Sequence, residues 1–291
     1  MNTINTGTYS SVWRNKYRSA KMQSVLRKAM VTEKICDVDR SNSFYIHNPY
    51  SGQPTASVAA VDGSYAVSAW TTTEDTLSVT DEVTYGEHIY DFERSLANFD
   101  IFATRTDEQA YAVAYAIDKW VLNNLLEEGT GTYTTPAGGF TTAANINVII
   151  SNLCSKVMGF ADAYKGLFLV VENTDIPGLL QAQMSNGFSF ADAALNNGFV
   201  GNYGGVEIYV VRTGTFDDQA TTTVSGSTTW TNDGHRVFGV KGVATFAQPG
   251  GLKFEEKGVT LKTGIEFVTY GYVGIKLWAQ KASLVVDITL A

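Results

Sequence analysis

The residues that could do chemistry are few. His47, His88 and His235 are the only histidines, and Cys36 and Cys154 the only cysteines. No histidine has a second His or Cys at metal-ligand spacing, so each reads as an ordinary surface or partly buried side chain. The two cysteines lie far apart, form no CxxC pair, and read as buried free thiols. No GxSxG, P-loop, HExxH or complete GxGxxG occurs. GTGTYT, starting at Gly129, lacks the third glycine and follows an expected helix rather than a strand. Aspartates and glutamates abound, but a single sequence does not pair them across a fold. The aromatics read as core or contact residues rather than a base-stacking platform, because basic residues do not interleave with them beyond the first forty positions. The expectation is no catalytic site, no cofactor and no metal, and hence a protein whose work is structural.

Composition and charge support that direction. A chain of 291 residues suggests one large domain or two intertwined ones. It is long enough to bury roughly 75% of its unfolded surface. Charged residues make up only 17%, while Thr, Ala, Gly, Val and Tyr are plentiful, which favours strands and turns. No run approaches ~18 uninterrupted apolar residues, so no membrane span is expected. The basic, apolar-poor first thirty residues are unlike a signal peptide, so the chain is expected to be soluble and made inside the cell. The net charge of −8 hides an asymmetry. Residues 1–40 carry +5, whereas residues 41–93 contain no Lys or Arg and eight acids, among them Glu74, Asp75, Asp81 and Glu82. A basic arm can bind nucleic acid or pair with an acidic neighbour, and both readings stay open.

The elements that must position these residues can be placed in outline. Residues 1–20 form a polar arm, and 21–35 space Met22, Val25, Leu26, Ala29 and Met30 as a short amphipathic helix. Residues 41–92 read as a β ribbon, alternating around Leu77, Val79, Val83 and Tyr85. A ribbon of two strands is marginal by itself. A long helix follows, with Thr106 and Gln109 as a capping box, a stripe of Ala110, Val113, Ala114, Ile117, Val121 and Leu125, and Gly129 as its stop. Glu127 and Glu128 oppose its dipole and are expected to meet basic partners. A Gly/Thr connector covers 129–142. Ile146, Ile149, Ile150, Leu153 and Val157 mark a second helix, LFLVVE a buried strand, and Pro177–Met184 a third helix. SFADAALNN is a further short helix, and 217–234 an exposed Thr-rich hairpin turning at Ser225–Gly226. From Arg236 onward strands dominate, with RVFGVKGVATFA read as one of them.

This order resembles the major capsid proteins of tailed phages with the Hong Kong 97-type fold. TDEQAYAVAYAIDKWVLNNLLEEG is similar to the family's spine helix, and LFLVVENTDIPGLLQ to its axial-domain strand and helix. FVGNYGGVEIYVVRTG resembles the glycine-rich turn that feeds a core strand, and HRVFGVKGVATFAQ the strand after a variable insertion. The resemblance implies an α+β fold. It divides the chain into an N-terminal arm (1–40), an extended β loop (41–93), and a peripheral domain with the spine helix (94–144). An axial domain (145–249), peripheral strands (250–275) and C-terminal strands returning to the axial domain (276–291) follow. Gly198, Gly201, Gly204 and Gly205 become the turn glycines.

The implied function is a non-enzymatic subunit of an icosahedral phage head, assembling with itself as pentamers and hexamers around packaged double-stranded DNA. It would be assembled in the host cytoplasm and found in the virion. Portal, scaffolding and decoration proteins are the implied partners, with no membrane. In the family the arm and loop both reach neighbouring subunits. Arg14, Lys16, Arg18 and Lys21 are therefore expected to meet Glu74, Asp75, Asp81 and Glu82 of a neighbour. The loop has no lysine, so the lysine cross-link of some members is not expected from it. Only about 100 residues precede the spine helix, so no long scaffolding segment is expected within the chain. An encapsulin-type compartment shell shares the fold and is the alternative. A β-rich carbohydrate-binding module is the rival from another class.

Overall fold

The computed structural model describes residues 30–51, 72–90, 101–159, 165–186, 199–216, 234–258 and 264–291. The arm's first 29 residues, the SFADAALNN segment and residues 217–233 of the Thr-rich hairpin lie outside them.

The chain enters through a single helical turn, α1 (Thr32–Ile35), and a short strand, β1 (Asp37–Asp39). Two antiparallel strands, β2 (Tyr45–Ser51) and β3 (Thr72–Ser78), form the expected ribbon. After Val79 and Thr80 the chain continues as β4 (Asp81–Ile89), which leaves the ribbon and pairs along its whole length with β12 (Ile265–Leu277). β12 also pairs with β10 (Ala244–Ala247) and β11 (Lys253–Gly258), and β10 takes β1 on its far side. This is the five-stranded sheet. A second, six-stranded sheet runs in the order β5 (Gly131–Thr134), β13 (Val285–Thr289), β9 (His235–Val240), β6 (Leu167–Glu172), β8 (Val206–Val211) and β7 (Phe199–Tyr203).

Between them lies α2 (Ile101–Glu128), 28 residues long, or about 42 Å at 1.5 Å per residue. It begins earlier than its capping signals imply. IFATR contains no breaker, so the helix continues back through it, and Thr106 and Gln109 become buried interior residues instead of a cap. Gln109 donates from Nε2 to Glu87 Oε2 at 3.1 Å, tying the helix to β4. The apolar stripe is otherwise as spaced. Ala110, Val113, Ala114, Ile117, Val121 and Leu125 are all buried, while Tyr111 on the opposite side is 60% exposed. Glu128 finds its partners on β12: its carboxylate accepts the Leu277 amide at 2.7 Å and stands 3.6 Å from Lys276 Nζ. Glu127 is exposed.

The 129–142 connector is more ordered than a linker. It holds β5, which pairs in parallel with β13, and a 3-10 turn at Gly139–Thr141. α3 (Ala143–Val157) buries Ile146, Ile149, Ile150, Leu153 and Val157 as its stripe requires. β6 is buried at every position, the mark of a strand covered on both faces. α4 (Ile176–Asn186) approaches the 3-10 turn so closely that a Cβ at Gly178 would stand 2.1 Å from the Phe140 carbonyl oxygen. RVFGVKGVATFA is two strands. The chain turns at Lys241–Val243 and passes from the six-stranded sheet (β9) to the five-stranded sheet (β10). It returns once, from β12 through a 3-10 turn (Ala279–Leu284) into β13. One large core joins both sheets to α2 and α3.

Ile117 has no exposure in this core. Ile117→Asp buries an unpaired carboxylate, at a cost of several kcal/mol. We expect loss of soluble yield and of any cooperative thermal transition. Tyr111→Asp, on the exposed side of the same helix, should change stability by no more than about 0.5 kcal/mol.

Candidate functional site

The histidines sit against carboxylates, each across a strand pair. His47 Nδ1 is 2.5 Å from Glu74 on the ribbon, His235 Nδ1 is 2.7 Å from Asp287, and His88 Nδ1 is 3.8 Å from Glu266. Single-sequence reasoning had no means of finding these partners, which come from sheet register. Thr76 Oγ1 stands 3.3 Å from the same His47 Nδ1 on the exposed ribbon, and no cluster of three His, Cys, Asp or Glu residues suited to a metal ion exists among the described residues. Both cysteines are free; burial pushes the Cys36 thiol up, with Asp118 and Asp37 adding to the effect. No helix among the described residues is long and apolar enough to cross a membrane. The polar side chains of the described residues that hold the fold group into three parts.

The first is a buried ionic cluster at the ends of the two central strands of the six-stranded sheet, β9 and β6. Arg236, 4% exposed, places Nε 2.6 Å from Asp175 Oδ2 and Nη2 3.3 Å from Glu172 Oε2. Glu172 Oε1 accepts the amides of Gly214 (3.0 Å) and Phe216 (3.4 Å), and the guanidinium lies 5.7 Å from the centre of the Phe216 ring. Asp175 Oδ2 also accepts the Glu172 amide at 3.2 Å. The cluster fixes residues 212–216, from which the Thr-rich segment departs. A charged residue closing the apolar run LFLVVE, and an arginine opening RVFGV, were the available signals.

The second part is Asp118, midway along α2. Its carboxylate accepts the Val31 amide at 2.9 Å, the Thr32 amide at 2.9 Å and the Thr32 hydroxyl at 2.6 Å. These bonds pin the base of the arm to the long helix.

The third part is the ribbon and its acids. Glu74 and Asp75 lie on β3: Glu74 faces His47, and Asp75 Oδ2 accepts the Ala279 amide at 3.1 Å. Asp81 and Glu82 lie on β4, where their register partners are Val273 and Tyr272 of β12. Burial raises the pKa of Asp81, opposed by a hydrogen bond from Thr80. The structure thus separates the four acids into a ribbon pair and a sheet pair. Arg14, Lys16, Arg18 and Lys21 lie outside the described residues. The ribbon's base packs Leu77, Val79 and Ile46 against Ala247, Trp278 and Tyr272. Beyond it, Thr72, Thr73 and Glu74 are exposed, as are Tyr45 and His47.

The glycine-rich stretch forms the β7–β8 hairpin. Tyr203 pairs with Val206 across a two-residue turn in which Gly204 and Gly205 have φ of +60° and +86°. Both values fit the type I′ turn, which side-chain-bearing residues resist. Gly201 sits at a register irregularity in β7, and Gly198 lies outside the described residues.

No protein-family model and no curated protein matches this chain. Solved structures do. The capsid of cyanophage P-SCSP1u is 15% identical with a TM-score of 0.66, over 91% of this chain and 89% of that one. The capsid of the empty GTA particle is 16% identical with a TM-score of 0.64, over 91% of each chain. The virus-like particle from Pyrococcus furiosus is 9% identical with a TM-score of 0.62, over 94% of this chain and 99% of that one. The fold is the α+β fold of tailed-phage capsid proteins, the Hong Kong 97 type.

Arg236→Met would leave Glu172 and Asp175 buried without their cation. Breaking a buried pair on one side costs about 3–5 kcal/mol. Chemical denaturation should show that loss, and adding Glu172→Gln and Asp175→Asn should recover part of it.

Proposed function

We propose that this chain is the major capsid protein of a phage head, a non-enzymatic subunit that assembles as pentamers and hexamers into an icosahedral shell around double-stranded DNA. The observation that carries the reading is the match of the whole fold, over about nine-tenths of both chains, to phage and GTA capsids. A ribbon whose outer half has no packing surface among the described residues supports it, since a neighbouring subunit would supply that surface.

In this reading residues 1–40 are the arm and 41–93 the extended loop. Residues 94–144 with 250–275 form the peripheral domain, and 145–249 with 276–291 the axial domain. Portal, scaffolding and decoration proteins would be its partners, the virion its location and the host cytoplasm its place of assembly. A second reading is an encapsulin-type shell around protein cargo, which would share this fold; the fold is also found in a virus-like particle from Pyrococcus furiosus. Size-exclusion chromatography with negative-stain imaging tests the shell itself: megadalton particles support it and monomers overturn it. A nuclease-protection assay on those particles separates DNA from protein contents.

The charge asymmetry yields a sharper expectation. The arm's Arg14, Lys16, Arg18 and Lys21 meet a neighbour's Glu74, Asp75, Asp81 and Glu82. Each exposed pair contributes about 0–1 kcal/mol, and a shell repeats the contact in every subunit. Glu74→Lys with Asp75→Lys should weaken assembly of empty shells, and Arg14→Glu with Lys16→Glu should partly restore it. If loop reversal leaves empty-shell assembly intact while arm reversal lowers only the DNA content, the arm contacts phosphates instead.

A further inference from the structure

A groove of about 190 Å³ runs beside α2 at the point where the described chain begins. Val31 lines it, with Tyr111, Ala114 and Tyr115 of α2 and Val210 and Val211 of β8. Met30 and Val31 are buried in the main core, whereas Tyr111 is 60% exposed and Tyr115 partly so. The chain before Met30 is suited to such a surface. Met22, Val25, Leu26, Ala29 and Met30 recur at helical spacing, and the burial of Met30 sets one end of that stripe against the core. The stripe does not run on into α1 as one helix. A continuous helix would bond the Val31 and Thr32 amides to the carbonyls of Arg27 and Lys28. Both amides donate to Asp118 instead, at 2.9 Å, so the chain can change course at Met30.

We propose that residues 22–29 of this same chain occupy the groove. They lie along α2 as a short amphipathic helix, with Met22, Val25, Leu26 and Ala29 against Tyr111, Ala114 and Tyr115. The lengths agree: eight helical residues span about 12 Å, and the rise along α2 from Tyr111 to Asp118 is about 10 Å. A helix this short is not stable in isolation, so it needs a face that covers its stripe.

The occupant is the chain's own segment because of where that segment is tied. It is joined to the groove at Met30 with no linker to cross, and an intramolecular contact has a high effective concentration. A segment from another copy would have to displace one already tethered there. Gln23, Ser24, Arg27 and Lys28 then face water. The docked helix also sets where residues 1–21 leave the subunit, at the Tyr111 end of the groove rather than at Val31. The contact lies within one chain, so its failure would leave the shell reading standing, and a monomeric chain would leave the contact standing.

Amide hydrogen exchange on the full chain tests the docking. Amides within 22–29 should exchange more slowly than in the free peptide. Leu26→Asp and Tyr111→Asp, one on each side of the contact, should each lower that protection about tenfold or more, while the amides of α3 keep theirs. A photoreactive diazirine side chain at position 26, in a one-to-one mixture of light and heavy-isotope chains, identifies whose groove is filled. The expected adduct joins position 26 to residues 111–118 of the same chain. Free-peptide exchange rates in the native chain, protection that survives Tyr111→Asp, adducts to other segments, or adducts of mixed isotope that reveal a second copy's arm would each overturn the proposal.

Discussion

The apolar seam of α2 is the constraint on which the rest of the molecule depends. Val113, Ile117, Val121 and Leu125 recur at the helical period and lie in the core cluster that contains residues of both sheets. Because the helix is 28 residues long, one rigid element can span two sheets that share no strand. The chain passes between the sheets by short turns at β9–β10 and β12–β13, and a third time from β4 to β5 by way of α2 itself. Two short crossings would give a loose joint. The helix, buried against both, makes the pair of sheets one body with a continuous core.

Charges buried in that body fix points the apolar contacts leave undetermined. Hydrophobic burial is non-directional, so it does not choose where a loop departs or where an arm begins. Glu172, held with Asp175 by Arg236, makes that choice at the departure of the Thr-rich segment, by accepting the amides of Gly214 and Phe216. Asp118 makes it at the base of the arm. Both clusters secure the root of a segment that continues outside the described residues.

The ribbon shows the opposite balance. Its base is packed and its outer half is polar, with Glu74 and His47 facing each other in the open. A pair of exposed strands gains little stability from its own contacts. Such an element is sustained by whatever covers it, which is the physical basis for reading it as a limb for contact between subunits.

The sequence by itself determined the element types, because periodicity is a local property of the chain. The α2 and α3 stripes, the buried LFLVVE strand, the two-strand ribbon and the glycine-rich turn into β8 all follow from side-chain spacing or from turn chemistry. Only the tertiary structure decided the rest. The capping signal at Thr106 was overridden because the turn before it had no breaker and Gln109 had a partner on β4. RVFGVKGVATFA split between two sheets because each half pairs with a different distant strand. β4 left the ribbon for β12, and with it went Asp81 and Glu82. The partners of Arg236, Asp118 and the three histidines come from residues far along the chain, brought together by strand register and helix packing. Local spacing carries no record of those distances, so the sheets, the buried charges and the placement of the acids became visible only in three dimensions.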